Sequence, residues 1–585
     1  MNQLSTPVHE PSQPTCKATL LASMLLATTL LPRSDGQLHA APQETAKPAN
    51  ALSAADVRAQ RQQLTQRERR IIFNNDGDDI ARLGRGAPRE ELVGQRLKTR
   101  PRNYPQTADG LLQVRTKMLI GTHVDAIWYY STWGMKLHHS DGPFARLYGC
   151  PDGALGGRST INYQAVRKAT GKDCLEIMID FCRQQGMEIF YSNRMNDVHD
   201  SFNPATLYHL RKQHPQWCLS TREEGSKYAY PDVRSCWSAW NFAIPEIRQA
   251  TVAALREVCQ TYDIDGIELD FFRHFVYFPE TLEFKPVTAE HLSMMNDMMR
   301  QIRRVADEEG RRRGRPILLA GRCLEDIALS KHSGLDVATW LKEDLVDMLS
   351  VVASTEHTPP LNQIIAFARR YRAPVYPLLA PLPTAAPDEI NNLAARMGNL
   401  PVWRGHAINL FAQGAAGIQF FNIFDPTLRQ WSQLGDRRSL LTQNRTYVWD
   451  FRPSQRKDRP TFAQMRLSRY KQPVRVLTGD TEPISLYVGE DLSLPDTTGK
   501  SRSLELRVHV QDLQASHGLL LRAANRDLPK PTYDPHPSET PRNTWLRYRV
   551  SADHFRKGTN LFTATVATES GNAPRIDQMR LDIRY

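Results

Sequence analysis

The most informative feature of the sequence is a pair of carboxylates on one predicted buried strand, residues 263–272. Side chains alternate in direction along a strand, so Glu268 and Asp270 share one face and the apolar residues between them share the other. A buried carboxylate is costly unless it is paired or solvated. The two acids therefore indicate an ion-pair network or an active site, and Arg273 and His274 directly after the strand favour an active site.

Short apolar strands alternate with amphipathic helices between residues 69 and 454. Helices are predicted at 173–185, which ends at Gly186, and at 245–262, which begins at Pro245. The predicted strands are 70–74, 117–124, 188–194, 263–272, 317–322, 346–352, 374–380 and 417–423. Eight such alternations are typical of a (β/α)8 TIM barrel.

Active sites in this fold lie at the carboxyl ends of the strands, which makes acids there catalytic candidates. Asp270, nearest the end of its strand, is predicted to be the nucleophile or the stabilising carboxylate. Glu268 lies one layer deeper and is predicted to position its neighbours. Glu325 is the preferred proton donor, with Asp197 and Glu356 as alternatives. Two carboxylates in these roles suit the hydrolysis of a glycosidic bond.

Polar and aromatic side chains at the same strand ends are predicted to bind the substrate. They are Asp76, Asp125, Arg194, Asn196, His199, Arg273, Glu356, His357, Trp128 and Trp240. Flat aromatic faces suit the CH surface of a sugar, so the expected substrate is a poly- or oligosaccharide. Arg194 and Arg273 are expected to hold Asp270 ionised, as a nucleophile requires.

These residues also carry a family resemblance. The segment 265–271, followed by Phe272 and Arg273, resembles the fourth strand of bacterial glycosyl-hydrolase-like (β/α)8 proteins, and the stretches 74–77 and 194–199 are similar to patterns in that family. The resemblance covers roughly residues 69–450 and implies a (β/α)8 fold with action on glycosidic bonds. The strand also resembles that of family 18 chitinases, but Phe272 stands in the place of their catalytic Glu, so no chitinase mechanism is implied.

Two other functions remain open on the sequence. A metal-dependent hydrolase would use His123, Asp125, Asp197 and His199, although their spacing is not that of a known metal motif. A catalytically silent carbohydrate-binding barrel fits the missing chitinase-type Glu. The preferred interpretation requires neither a metal nor a cofactor.

The charge balance is basic, with 75 Lys and Arg against 63 Asp and Glu. The densest basic cluster, 303–315, falls late in a predicted helix and is expected to be a solvated helix end. No nucleic-acid-binding motif accompanies it, so nucleic acid is not an expected partner. The basic excess is compatible with an anionic saccharide.

The two ends of the chain differ from its middle. Lys17, the apolar run 18–31 and the small residues Ala40 and Ala41 predict a signal peptide at 1–41 and export to the periplasm or the medium. Residues 42–68 are predicted to be a linker that becomes a surface helix, 69–454 the barrel, and 455–585 a β-sandwich of short alternating strands. No other apolar run is long enough to predict a membrane span.

Overall fold

The structure is a computed structural model that describes residues 52–84, 89–93, 96–100, 104–149, 157–229, 232–353, 360–379, 399–421, 423–424, 429–450, 474–479, 481–494, 501–569 and 571–585. The predicted signal peptide lies outside these ranges. Within the predicted segment 42–68, the helix Ala54–Thr65 is present, and the Ser53 side chain caps its first turn.

Eight parallel strands close into a barrel in which neighbours in sequence are also neighbours in the sheet. The strands are β1 (Ile71–Asn75), β2 (Val124–Tyr129), β3 (Glu188–Arg194), β4 (Gly266–Asp270), β5 (Leu318–Cys323), β6 (Met348–Val352), β7 (Val375–Leu379) and β8 (Ile418–Phe420). Helices follow these strands, which confirms the predicted TIM barrel.

The second predicted strand, 117–124, is wrong. Lys117–Leu119 form a 3-10 turn, and Gly121 has a left-handed backbone with a φ of 74°. An extended strand cannot pass through that conformation, so β2 begins at Val124. Residues that the sequence placed in the loop after the strand therefore lie within the strand.

Helices surround the barrel and join its strands. Their bounds are Ala54–Thr65, Ala108–Arg115, Pro143–Tyr148, Gly157–Thr170, Cys174–Gln185, His199–Phe202, His209–Gln213, Arg222–Gly225, Pro245–Thr261, Ala289–Arg313, Ile327–His332, Val337–Lys342, Asn362–Arg370, Leu400–Ala412 and Arg437–Leu440. The helix Cys174–Gln185 illustrates how the sequence sets such bounds. Asp173 and Glu176 cap its start reciprocally, and Gly186 ends it at a φ of 67°.

One layer of the barrel interior is apolar. Trp128 stacks on Phe190 with ring centroids 5.3 Å apart, and both rings are fully buried. Gly266 is opposite Phe190 in the sheet, and a Cβ at that position would lie 2.6 Å from the Phe190 ring. The ring therefore requires glycine at the start of β4, and polar side chains occupy the levels above it.

Two antiparallel sheets form the C-terminal part, as predicted for a β-sandwich. One contains Arg445–Asp450, Val474–Arg475, Ser503–Leu513, Thr532–Asp534, Arg542–Val550 and Arg575–Arg584; the other contains Ile484–Val488, Leu520–Ala523, Arg526–Asp527 and Gly558–Thr565. The strand Arg445–Asp450 pairs with Arg575–Arg584. The first sheet thus begins before the predicted boundary at residue 455. A separate two-stranded hairpin, Arg89–Val93 with Arg96–Arg100, follows β1.

Within the described ranges, no helix is both long and apolar enough to cross a membrane. Cys218 and Cys236 are buried free thiols.

Candidate active site at the strand ends

The orientation predicted for the β4 carboxylates is confirmed. Glu268 contacts Asn74 from β1 and Gln419 from β8, so it points into the barrel. Ile267 and Leu269 lie in the apolar layer that packs against the surrounding helices. The period-two alternation of a strand places the acids and the apolar residues on opposite sides.

Glu268 is a fully buried centre of hydrogen bonds. Its Oε2 accepts from Asn74 Nδ2 at 3.0 Å and from Ser192 Oγ, while its Oε1 accepts from Gln419 Nε2 at 3.0 Å and from Arg322 Nη1 at 3.4 Å. Burial raises the pKa of this carboxyl, against the lowering effect of Arg322. Because the group is 0% exposed, its role here is to join four strands across the barrel axis.

Asp270 is held by its own turn and by Arg322. Its Oδ1 accepts from the backbone N–H groups of Phe272 and Arg273 at 3.0 and 2.9 Å, and its Oδ2 lies 3.1 Å from Arg322 Nη1. Asp270 is 1% exposed. The expectation that Arg194 and Arg273 supply its charge partner is therefore corrected: Arg322 does, and Arg273 contributes a backbone donor.

A cleft of about 220 Å³ opens beside these residues, at the carboxyl ends of β1 to β4. Its lining residues are Asp76, Gly77, Asp78, Tyr130, Ser131, Thr132, Trp133, Arg194, Asp197, His199, Asp200, Thr206, Tyr208 and Arg273. Five predicted site residues are therefore brought together in it, namely Asp76, Arg194, Asp197, His199 and Arg273. Neither Asp270 nor Glu268 is among the lining residues.

Asp197 is a cleft carboxylate that Arg194 and His199 both contact. Its Oδ2 accepts from Arg194 Nη1 at 2.9 Å, and its Oδ1 accepts from the backbone N–H of His199 at 2.9 Å and contacts His199 Nδ1. Burial opposes ionisation, but His199 and Arg194 outweigh it and hold the pKa of Asp197 well below its usual range. The guanidinium of Arg194 also lies over the Tyr130 ring at 4.0 Å, so both residues are fixed.

His199 connects Asp197 to Arg273. Arg273 Nη2 lies 3.0 Å from His199 Nε2, and a guanidinium can only donate. His199 Nε2 is therefore the acceptor, and Nδ1 carries the ring proton toward Asp197. The buried His274 ring packs edge-on against His199 with centroids 5.4 Å apart, and burial lowers the pKa of His274 well below its usual range.

Asp76 is a second carboxylate of the cleft that cations hold ionised. It accepts from Arg115 Nη1 at 2.6 Å. Burial would raise the pKa of Asp76, but Arg115 and Arg194 together hold it below its usual range. Arg115 also contacts the carboxylates of Asp78 and Asp79. Asp79 is 0% exposed, and burial raises its pKa to about 6.

Two predicted substrate-binding residues lie away from the cleft because β2 begins later than predicted. Asp125 is the second residue of β2, at the opposite end of the strand from the cleft, and its carboxylate pairs with Arg70 at 2.7 Å. Trp128 is 0% exposed and fills the lower barrel interior. These two placements correct the prediction that both residues follow the strand.

Asn196 and Trp240 join the loop after β3 to the loop before the helix Pro245–Thr261. Asn196 Nδ2 donates to the carbonyls of Trp240 and Val276 at 3.1 and 2.5 Å, and its Oδ1 accepts from the Trp240 backbone at 2.8 Å. The Trp240 ring is 1% exposed and lies under the Arg211 guanidinium. Both side chains are engaged by protein rather than by the cleft.

The remaining predicted residues are placed as follows. Glu325 is 1% exposed and does not line the cleft. Glu356 and His357 lie outside the described residues. Sequence analysis did not identify Arg115 or Tyr208, since a single Arg at the end of a short helix and a single Tyr in a loop carry no local signal.

The residues of the metal-dependent alternative are separated in space. His123 and Asp125 lie at the start of β2, whereas Asp197 and His199 follow the end of β3. Across the described ranges, no three His, Cys, Asp or Glu side chains converge to hold a metal ion.

One segment of the chain is similar to a known protein family. Residues 150–292 match the family described as Glycosyl hydrolase-like 10, a segment that includes β3, β4 and the Asp197 loop. No curated protein sequence matches the chain significantly.

Similar solved structures include three bacterial glycoside hydrolases. An α-amylase from Anoxybacillus is 10% identical, with 87% of this chain and 99% of that chain covered and a TM-score of 0.31. A family 18 N-acetylglucosaminidase from Paenibacillus barengoltzii is 13% identical, with coverages of 56% and 96% and a TM-score of 0.30. The PgaB (BpsB) glycoside hydrolase domain from Bordetella bronchiseptica is 10% identical, with coverages of 61% and 94% and a TM-score of 0.32.

At these identities and TM-scores the solved structures carry no argument about the chemistry of this chain. The family match is the informative comparison, because it covers the segment that contains both β4 carboxylates and the Asp197 loop. The chain is thus similar to the Glycosyl hydrolase-like 10 family over residues 150–292.

Proposed function

We propose that this protein is a glycoside hydrolase that binds a poly- or oligosaccharide in the strand-end cleft and cleaves its glycosidic bonds. The observation that carries the proposal is the pair Asp76 and Asp197, two carboxylates held ionised on the same cleft. Glycosidic cleavage passes through a transition state in which the sugar ring becomes positively charged. Fixed negative charge beside that ring stabilises the transition state more than the ground state.

Exposure separates Asp76 from two buried carboxylates, Asp270 of β4 and Glu325 after β5. The Asp76 side chain is 20% exposed, whereas Asp270 and Glu325 are each 1% exposed. A group that reacts with substrate must reach it. We therefore assign the contact with the sugar ring to Asp76. Asp197, which contacts Arg194 and His199, supplies a second negative charge near the ring.

Asp270 serves in this proposal as a positioning residue. Its Oδ1 fixes the backbone N–H of Arg273, and the Arg273 side chain reaches His199 in the cleft. Loss of the Asp270 charge would remove the closer of the two carboxylates that the buried Arg322 guanidinium contacts, with Glu268 remaining at 3.4 Å. Asp270 thus connects the barrel interior to the cleft without touching substrate.

Trp133 and Tyr130 supply the apolar surface that a sugar requires. The Trp133 side chain is among the exposed large apolar residues, at 37%, and it lines the cleft. A pyranose ring stacks its CH face on such a ring while its hydroxyl groups meet carboxylates and guanidinium groups.

The proposal is tested by incubating the purified protein with a panel of neutral and anionic polysaccharides and measuring released reducing ends. We expect turnover on at least one polysaccharide, with loss of that turnover in the Asp76→Asn variant. Absence of product across the panel, despite measurable binding, would favour the second candidate below.

A catalytically silent saccharide-binding barrel is the second candidate, and one observation favours it. The pKa values of the cleft carboxyl groups Asp76 and Asp197 are both lowered, which favours the ionised form, whereas glycosidic cleavage also needs a proton donor. Isothermal titration that detects a saccharide, without any released reducing ends after prolonged incubation, would identify this function.

Export is part of the same proposal, because an extracellular or periplasmic enzyme meets polysaccharides directly. The support is the apolar run 18–31 followed by Ala40 and Ala41. N-terminal sequencing of the protein from its producing cells should give a start near residue 42. A start at Met1 in all recovered protein would refute cleavage of a signal peptide.

A further inference from the structure

His199 combines features that no other cleft residue shares. Its side chain is 49% exposed, it lines the cleft, and one ring nitrogen is held by the ionised Asp197. Asp197 Oδ1 contacts both the backbone N–H and Nδ1 of His199, which fixes the ring orientation. A carboxylate at Nδ1 stabilises the doubly protonated ring, and this arrangement suits a residue that takes up and returns a proton at Nε2.

Arg273 opposes that protonation in the unliganded cleft. Its Nη2 lies 3.0 Å from His199 Nε2, and two donors cannot share that contact. A proton on Nε2 would also bring two positive groups together at hydrogen-bond distance. Arg273 at this position therefore covers the Nε2 lone pair.

We propose that His199 is the proton-transfer residue of the cleft and that saccharide binding activates it by drawing Arg273 away from Nε2. This inference rests on the proposed glycoside hydrolase function. A saccharide offers hydroxyl or carboxylate oxygens that a guanidinium binds well, so it competes with His199 for Arg273. Once Arg273 turns to the ligand, Nε2 is open to solvent and takes up a proton from hydronium, which releases water, and Asp197 balances the new charge on the ring.

The chemical step is then balanced within the cleft. The Nε2 proton passes to the glycosidic oxygen as the bond from that oxygen to the anomeric carbon breaks, and the bonding electron pair stays on the oxygen. The Asp76 carboxylate balances the positive charge on the sugar ring. A water molecule adds to the anomeric carbon and gives its proton back to Nε2, which restores His199.

Several other charged groups face His199. Asp197 and Arg194 belong to the end of β3 and its loop, and Arg273 and His274 belong to the turn after β4. Among these, only Arg273 contacts Nε2, which makes Arg273→Gln the informative substitution. Arg256→Gln is the matched control, since it removes one exposed guanidinium from the outer helix Pro245–Thr261.

The test measures protonation of His199 directly, by hydrogen–deuterium exchange at its ring C2 position as a function of pH, read by mass spectrometry on peptides that separate it from His209. We expect Arg273→Gln to move the titration midpoint of His199 to higher pH and Asp197→Asn to move it to lower pH. Arg256→Gln should leave the midpoint where it is in the wild type. Saturation with a polysaccharide that the protein binds should produce the same upward displacement as Arg273→Gln.

The inference is overturned if Arg273→Gln and bound saccharide both leave the midpoint unchanged. It is equally overturned if His199→Gln retains wild-type kcat on a substrate that the wild type cleaves. If the midpoint shifts occur but no polysaccharide is cleaved, the role of Arg273 is supported and the proposed hydrolase function is refuted. The failure of one proposal can therefore be told from the failure of the other.

Discussion

Arg194 Nη1 donates to Asp197 Oδ2 at 2.9 Å, and this ion pair places a fixed negative charge at the mouth of the barrel. Arg194 is the last residue of β3, and its Cα neighbour in β4 is Asp270. The two strand ends therefore differ in their role. Asp197 lines the cleft, whereas Asp270 pairs with the buried Arg322.

Asp197→Asn should reduce kcat by about 10²-fold to 10³-fold, because a preorganised charge beside the reacting ring acts mainly in the transition state. Steady-state kinetics on a polysaccharide that the wild type cleaves gives the result. Asp180→Asn, which removes an exposed carboxylate paired with Lys172, is the control and should retain wild-type rates. Equal rates for Asp197→Asn and wild type would exclude Asp197 from the catalytic site.

Asp270→Asn should destabilise the protein by about 3 kcal/mol, because it weakens a buried ion pair with Arg322. Asn retains an oxygen that accepts from the Arg273 backbone, so the turn after β4 should persist. Urea unfolding followed by circular dichroism measures the change. If the variant is as stable as the wild type while kcat falls by several orders of magnitude, Asp270 is a catalytic residue and not a positioning residue.

Asp79 should make the stability of the protein depend on pH between about 4 and 6. Its pKa in the folded protein is about 6, above the ordinary value for Asp, so its contribution is fully present below about pH 4 and is lost as pH rises through 6. Relative to Asp79→Asn, the wild type should lose on the order of 2 kcal/mol between pH 4 and pH 7.

The Asp79 experiment consists of urea titrations of both proteins at several pH values. The unfolding free energy of the wild type should fall relative to that of Asp79→Asn as pH rises from 4 to 7. A constant difference across this range would show that the buried Arg115 keeps Asp79 ionised throughout.

Trp133→Ala should raise KM about tenfold with little change in kcat, because stacking on a sugar face is made equally in the ground and transition states. Trp217→Ala is the matched control. The Trp217 ring stacks on His214 with centroids 3.9 Å apart and does not line the cleft. A loss of the same size in both variants would point to a general effect on folding.

Much of the barrel could be predicted because its signals are local. β3 has the predicted bounds, and the helix Cys174–Gln185 differs from its prediction by one residue. The alternation of side chains along β4 fixed the direction of Glu268 before any contact was known. The error at β2 arose where Gly121 interrupts an apolar run, since a left-handed glycine is not distinguishable in sequence from one within a strand.

The candidate site was only partly predictable. The order of residues in the sequence predicted that Arg194, Asp197 and His199 lie near one another, because all three fall within six residues at the end of a single strand. It could not reveal that Arg322, rather than Arg194, pairs with Asp270, since these residues belong to different strands. Nor could it show that Arg115 binds the Asp76 carboxylate from a helix that begins at Ala108.

The sequence by itself determined the order of strands and helices and the inward direction of Glu268 and Asp270, because periodicity and capping act between residues close in the chain. Tertiary structure alone decided which carboxylate side chains are exposed and which cation each carboxylate pairs with. Asp270 became buried and Asp76 bordered the cleft because closure of the barrel brings distant strand ends together. Ion pairing depends on those distances and on exclusion of water, which no local pattern encodes.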